Sequence, residues 1–308
     1  MKLLDAAYCY ILFETLRPVL EVFGMRAVLV TGASGGVGRA TVRRLGERGW
    51  RVFAGVRSPN EAGDLGAAVV ELDVTDADSI ARAREAVDIR VGAGGLQGLV
   101  NNAGLSIDGP LELVTVDALR RQFEVNVIGP IAVTQAFLPL LRAGRGRVVN
   151  VGGAAGRVPI PMYGALSASK AALDSFSGTL RMELRHQGVQ VSYVEPGALD
   201  TRFFETAAKA RLREGYGGSP ETQSIYTKAI EAAAGAIAGS RHSPVEHAAR
   251  AIERALTDRR AAPRYLVGRE AWLVLPFIRR FPARIRDRLV MGSMGLGRDA
   301  FRIPGADS

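Results

Sequence analysis

The fold turns on residues 27–38, AVLVTGASGGVG. The first half is a short apolar run ending in glycine, the pattern of a strand buried on both faces. The second half, Thr31-Gly32-Ala33-Ser34-Gly35-Gly36-Val37-Gly38, is a glycine-rich turn. The residues that follow, GRATVRRLGERG, have helical spacing and stop at Gly49. A strand that passes through glycines into a helix lets the backbone approach a phosphate closely. The free N–H groups and positive dipole end of the helix then face the anion. A glycine-rich turn alone is a weak sign; between a strand and a helix it is a strong one. Gly32, Ser34, Gly36, Val37 and Gly38 are therefore candidate cofactor-binding residues.

Working outward, the alternation continues. RVFAGVR (51–57), AVVELDV (68–74), LQGLVNNAG (96–104), GRVVNVG (146–152) and VQVSYVEPG (189–197) read as further strands. Helical patterns separate them, at ADSIARAREAV, around 117–142 and over 168–186. Strands alternating with helices imply crossover connections and an α/β, Rossmann-type, doubly wound parallel sheet. Ligands of such sheets lie at the carboxyl ends of the strands. The organisation read from this is one domain over 25–262, an amphipathic N-terminal helix at 1–24 and a basic, apolar C-terminal helical extension at 263–308. The run 209–239 and the segment before it read as a substrate lid, since they follow the sixth strand.

Composition narrows the classes. The chain has 308 residues, 47% of them hydrophobic and 23% charged, an ordinary globular balance. The net charge is +9, mostly from arginine, yet no aromatic-rich basic stretch or zinc spacing points to nucleic acid. One cysteine, Cys9, allows no disulfide framework and fits a reducing, cytoplasmic setting. With three histidines and that one cysteine there is no metal-ligand pattern. The apolar run 6–13 falls well short of the roughly 20 residues a membrane span needs. Both ends instead mix apolar and cationic residues: Trp272, Leu273, Phe277 and Phe281 alternate with Arg279, Arg280, Arg284 and Arg288. That mixture suits either a helix packed on the protein itself or peripheral contact with a membrane face.

The second strand ends at Arg57-Ser58. An acidic residue there would bind the adenosine ribose of NAD, whereas a cation suits the 2′-phosphate of NADP. Arg57 thus favours NADP over NAD.

Taken together these motifs resemble the short-chain dehydrogenase/reductase family over roughly 26–257. The marks are TGASGGVG at 31–38, LDV at 72–74, NNAG at 101–104, NVIG at 126–129, ASK at 168–170 and EPGALDT at 195–201. The tail RYLVGREA at 264–271 looks like the bacterial branch similar to retinol and steroid dehydrogenases, which handles lipophilic alcohols and ketones. The resemblance implies that Asp73 and Val74 sit by the adenine and that Asn101, Ala103 and Gly104 run along the cofactor. It also implies that Pro196, Gly197 and Thr201 flank the nicotinamide, and that the chain pairs with a second copy.

The same resemblance assigns the chemistry to Asn, Ser, Tyr and Lys. Tyr passes the proton of the alcohol, Ser holds the substrate oxygen, and Lys binds the cofactor ribose and lowers the Tyr pKa. Carried over residue by residue, Asn126 and Lys170 are intact, while Leu166 stands for Tyr and Gly153 for Ser. Tyr163 is the available substitute, but it precedes Lys170 by two helical turns, about 10 Å. Ser167 and Ser169 flank the altered position and read as helix packing or local backbone bonding. Three functions stay open: an NADP-dependent oxidoreductase with altered proton chemistry, a nucleotide-binding pseudoenzyme, or an isomerase or cyclase reusing the pocket.

Overall fold

Side chains alternate along β1 (Ala27–Thr31), and that alternation builds two cores. Val28 and Val30 pack on one face with Val42 and Leu45 of α1 (Gly36–Glu47). Ala27 and Leu29 face the other way, toward Ile80 and Val87 of α2 (Ala77–Val91). The computed structural model describes residues 25–201, 203, 206, 216–240, 242–268 and 280–301. The expected N-terminal helix at 1–24, part of the lid at 209–215 and the apolar run 269–279 lie outside the described residues.

The remaining strands are β2 (Arg51–Val56), β3 (Ala68–Glu71), β4 (Gly98–Asn101), β5 (Arg147–Val151), β6 (Gln190–Pro196) and β7 (Arg264–Val267). They form one seven-stranded sheet in the order β3-β2-β1-β4-β5-β6-β7. Every neighbouring pair is parallel. Strand order reverses between β1 and β4, so their carboxyl ends open the crevice where ligands of such sheets bind.

Two boundaries differ from the sequence reading. RYLV at 264–267 is a seventh strand, paired with β6 from Tyr193↔Arg264 to Pro196↔Val267. The sheet domain therefore runs past 262, and the C-terminal extension begins after it. Four residues between Pro263 and Gly268 carry too little periodicity to declare a strand; pairing with β6 makes it one.

The other difference is α5 (Gly164–Leu184), which starts four residues before the expected 168. Tyr163 thus becomes its N-terminal flanking residue, and Leu166 lies in its first turn. The helix expected around 117–142 is present as α3 (Val116–Phe123), a π-turn (Glu124–Ile128) and α4 (Gly129–Ala143). This Val116–Ala143 rod is long and apolar enough to cross a membrane, but half of its most apolar stretch is buried inside the fold.

Helices α6 (Pro220–Ala238), α7 (Val245–Thr257) and α8 (Ala283–Ser293) follow. Ile252 and Leu256 of α7 complete the first core. Ala229 and Ala233 of α6 join Met294, Leu296 and Ala300 in a third apolar cluster that closes over Met162, Tyr163 and Leu166.

Candidate active site

The glycine turn is held by sterics and by the strand beside it. Register pairs Val30 with Val100, which brings Thr31 and Gly32 alongside 101–103. Gly32 has φ +62°, and a Cβ there would lie 2.8 Å from Ala103 Cα, so only glycine fits on both grounds. A Cβ on Gly38 would strike the Gly32 carbonyl oxygen and come within 2.9 Å of Ala33 Cα. Thr31 Oγ1 accepts from the backbone N–H groups of Asn102 and Ala103, each at 3.0 Å. Asn102 Nδ2 donates to the carbonyls of Thr31 (3.0 Å) and Gly32 (3.1 Å). Helix α1 then begins with no side-chain cap and no acid in its first turn. An anion is the natural partner for such a start.

The other cofactor candidates surround this turn. A Cβ on Gly36 would lie 3.1 Å from Thr201 Cγ2, so the two residues form facing walls. Pro196 ends β6, and Gly197 N–H donates to Val267 O at 3.0 Å, tying this wall to β7. Asp73 folds its carboxylate onto Thr75, accepting from its N–H (2.9 Å) and Oγ1 (2.7 Å). Val74 is buried against Gly129, where a Cβ would meet it at 2.8 Å. Arg57 stands exposed after β2, 3.6 Å from Glu61. Glu61 in turn accepts from Ser34 Oγ at 3.5 Å. The cation and the glycine turn therefore share one carboxylate.

Asn101 departs from its expected place along the cofactor. Its side chain turns into the core, where Nδ2 donates to Thr134 Oγ1 (2.9 Å) and Asn150 Oδ1 (2.8 Å). Asn150 Nδ2 continues the chain to Ser177 Oγ at 2.8 Å. Register places Asn101 opposite Asn150, and buried amides need partners. The residue that faces the turn is Asn102, which the sequence reading passed over.

At the chemical end, Gly104, Asn126 and Lys170 converge. A Cβ on Gly104 would lie 3.4 Å from Asn126 Oδ1 and 3.8 Å from Lys170 Nζ. Asn126 sits on the π-turn, a local widening often found at functional sites. Its Oδ1 accepts from Leu105 N–H at 2.9 Å, and its Nδ2 donates to Leu105 O (2.9 Å) and Ser169 Oγ (3.2 Å). Gln122 staples the same loop, accepting from Ile107 N–H at 2.8 Å and donating to Leu105 O at 2.8 Å. Ser169 Oγ donates to Leu166 O at 2.8 Å, and Ser167 Oγ accepts from Ile160 N–H at 3.3 Å. Ser167 is thus bonded locally, whereas Ser169 also accepts from Asn126 and Gln122. Lys170 Nζ donates to Val151 O at 3.1 Å. Burial pushes its pKa down from 10.5 to about 8, because the charged form loses its hydration.

Tyr163 and Leu166 belong to the third apolar cluster. Both are buried in it, with Ala229 and Ala233. Tyr163 bridges to Gly109 through the backbone. It lines a shallow recess, with room for little more than a water molecule, together with Asp108, Tyr216 and Ile230.

Gly152 and Gly153 have different reasons to be glycine. A Cβ on Gly152 would overlap the Tyr193 ring. The Tyr193 hydroxyl accepts from Gly153 N–H at 3.3 Å and donates to Lys170 O at 3.1 Å. Burial raises the pKa of this phenol well above its ordinary value. Tyr193 is therefore a neutral strut between β5, β6 and α5. At Gly153 φ is 172°, extended backbone open to any residue. A Cβ there finds nothing nearer than Lys170 Cγ at 3.8 Å and Pro196 O at 3.9 Å. Packing forces glycine at 152 and leaves a notch beside Lys170 at 153.

A profile of the family described as short chain dehydrogenase matches residues 26–212. An Escherichia coli K12 protein named uncharacterized oxidoreductase YbbO is 33% identical over 271 residues, 87% of this chain and 94% of that one. Human retinol dehydrogenase 5 is 36% identical over 290 residues, 85% of this chain and 87% of that one. The crystal structure of a short chain dehydrogenase from Burkholderia cenocepacia J2315 in complex with NADP has a TM-score of 0.68 and 29% identity. It covers 87% of this chain and 98% of that one.

The chain belongs to the short chain dehydrogenase family.

For a short chain dehydrogenase, the sequence motifs located the glycine turn and the Asn126–Lys170 pair but missed their supports. Thr31 and Asn102 were legible as members of TG and NNAG, since a hydroxyl and an amide beside a glycine turn have backbone groups to satisfy. Tyr193 and Gln122 gave no sequence signal. One sits among strand residues and the other among helix residues, and only the fold shows what they touch. The buried Glu195 is likewise a fold-level feature. Arg157 lies 2.9 Å from it, Arg264 pairs with it, and Arg264 also reaches Asp174 at 2.5 Å. These ion pairs tie the 153–163 segment to β6, β7 and α5.

Proposed function

We propose that this chain is an NADP-dependent oxidoreductase acting on a lipophilic alcohol or ketone, with a proton relay that lacks the family's phenol and serine hydroxyl. The observation that carries this reading is the convergence of Gly104, Asn126 and Lys170 beside the glycine turn, next to an open notch at Gly153. The residues present fit the dinucleotide. The uncapped start of α1 accepts the pyrophosphate, and the Cβ-free face of Gly36 opposite Thr201 gives it room. Arg57 takes the 2′-phosphate, and Lys170 offers its remaining N–H donors to the ribose. The Burkholderia relative's NADP complex supports the choice of nucleotide. When bound, the nicotinamide supplies or accepts the hydride.

The proton is the departure. Of Gly104, Asn126, Gly153, Leu166, Ser169 and Lys170, only Lys170 ionises. Its ammonium beside the notch supplies positive charge at the substrate oxygen, but no group in this set matches a Tyr–Lys pair. Acid catalysis of that kind contributes about 10²–10⁴-fold, so simple ketones are reduced slowly and acceptors with a stabilised alkoxide are favoured. The apolar cluster that closes over Leu166 supports a greasy substrate. A cytoplasmic chain that works as a homodimer completes the reading.

The same observation at Leu166 and Gly153 favours a second reading, a nucleotide-binding pseudoenzyme. Calorimetric titration of the purified chain with NADPH and NADH tests the first step of both. NADPH binding at least about tenfold tighter than NADH, or about 1.4 kcal/mol, is the expected result. Binding of neither nucleotide overturns both readings, and tighter NADH overturns the role given to Arg57.

A further inference from the structure

Helix α8 and the residue pair before it present a face that the site does not use. Phe281, Ile285 and Leu289 are 37%, 45% and 47% exposed. Ile285 and Leu289 stand four residues apart on α8 and share one side of it, and Phe281 lies just before the helix. Arg284 and Arg288 stand beside them, also exposed, and Arg280 precedes the helix. Over 280–289 four arginines face a single acid, Asp287, which already lies 3.4 Å from Arg286. The opposite side of the helix is spoken for. Met291 packs against the third cluster, and Met294 just beyond the helix is buried in it. The exposed face therefore sits on the outside of the same segment whose inside closes over Leu166 and Tyr163.

We propose that this face docks on an anionic lipid bilayer, with Phe281, Ile285 and Leu289 entering the headgroup boundary and Arg280, Arg284 and Arg288 pairing with lipid phosphates. Charge decides the occupant. A second copy seated symmetrically on this face would set arginine against arginine, whereas an anionic surface complements it. The face is a single helix side with cations interleaved among apolar groups, the arrangement of an interfacial helix. Docking would hold the pocket cover at the bilayer and let a membrane-dissolved substrate enter without crossing water. That last consequence rests on the lipophilic-substrate reading above; the docking itself does not.

The test is co-sedimentation of the full chain with phosphatidylcholine vesicles and with vesicles of phosphatidylcholine mixed with phosphatidylglycerol. The natural chain is expected to bind the anionic vesicles at least about tenfold more tightly than the neutral ones, and high salt is expected to remove most of the difference. Ile285→Glu/Leu289→Glu and Arg284→Glu/Arg288→Glu should each lower anionic binding at least about tenfold while NADPH affinity stays unchanged. The milder Ile285→Ala/Leu289→Ala serves if the acidic variants do not fold. Three results overturn the proposal: no preference for anionic vesicles, variants that bind as the natural chain does (docking then lies in another segment such as 1–24), or a dimer in solution that the variants dissolve. A chain that binds NADPH and reduces a detergent-dispersed ketone but ignores the vesicles overturns docking and leaves the proposed function standing.

Discussion

The two ends of the crevice are built on different principles. At the carboxyl ends of β1 and β4, position is set by backbone geometry and by hydrogen bonds to it: Gly32 against Ala103, Gly38 against the Gly32 carbonyl, Asn102 and Thr31 closing the turn. At the β5–α5 end, position is set by apolar packing, with Leu166 and Tyr163 in one cluster with α6 and the C-terminal segment. Backbone-held turns tolerate almost no substitution because a Cβ has nowhere to go. Packed clusters tolerate volume-matched exchange. A chain can therefore exchange the side chains that meet a substrate and keep the cradle for its nucleotide.

The sharpest way to break this comparison is Gly38→Ala. The added methyl meets backbone on two sides, and flexible side chains offer no relief. NADPH affinity should fall by at least about 100-fold, roughly 3 kcal/mol, by calorimetry. A loss below tenfold would show that the turn is as adaptable as the packed cluster.

Lys170→Met addresses the junction between the two ends. The Lys170 pKa is lowered from 10.5 to about 8 in the folded chain. The folded state therefore binds fewer protons than the unfolded state between those values, and stability rises with pH across that window. The destabilisation is fully present below about 8 and gone above 10.5. The methionine variant should gain on the order of 3 kcal/mol in urea melts at neutral pH, with the gain vanishing above pH 10.5. NADPH affinity should fall about tenfold in the variant. In the natural chain it should weaken as pH rises through about 8, a step the variant lacks. A variant less stable at pH 7 would mean that the lysine is a net stabiliser.

The smallest effects fall at the rim, where Arg57 is shared with Glu61 at 3.6 Å. Glu61→Gln should free the guanidinium and tighten NADPH severalfold, and Arg57→Asp should move preference toward NADH by about tenfold. If neither moves the NADPH-to-NADH ratio in fluorescence titration, Arg57 is a solvated surface charge.

Most of the sheet was legible because buried parallel strands read as apolar runs between glycines, and the turn after β1 was legible because its glycines have one structural explanation. What escaped was held by partners far away in sequence. RYLV became β7 only by pairing with β6. The start of α5 was misplaced by four residues because GALS at 164–167 carries little apolar periodicity, and the helix begins there with Leu166 packed in the third cluster. Asn101 was expected beside the cofactor, yet Thr134 and Asn150 draw its side chain into the core. No sequence rule distinguishes Gly152, fixed by Tyr193, from Gly153, which packing leaves free.

That distinction makes the account directly testable. Gly153→Ser/Leu166→Tyr puts both hydroxyls back where the family resemblance locates them, and the serine enters open space. The measurement is NADPH oxidation driven by a lipophilic ketone, in the natural chain and in this variant, both saturated with NADPH. The account predicts a rise of about 10²–10⁴-fold in the variant, the usual contribution of a positioned acid. A natural chain that already turns over as fast as the variant would contradict it, because proton transfer would then have no need of the two hydroxyls.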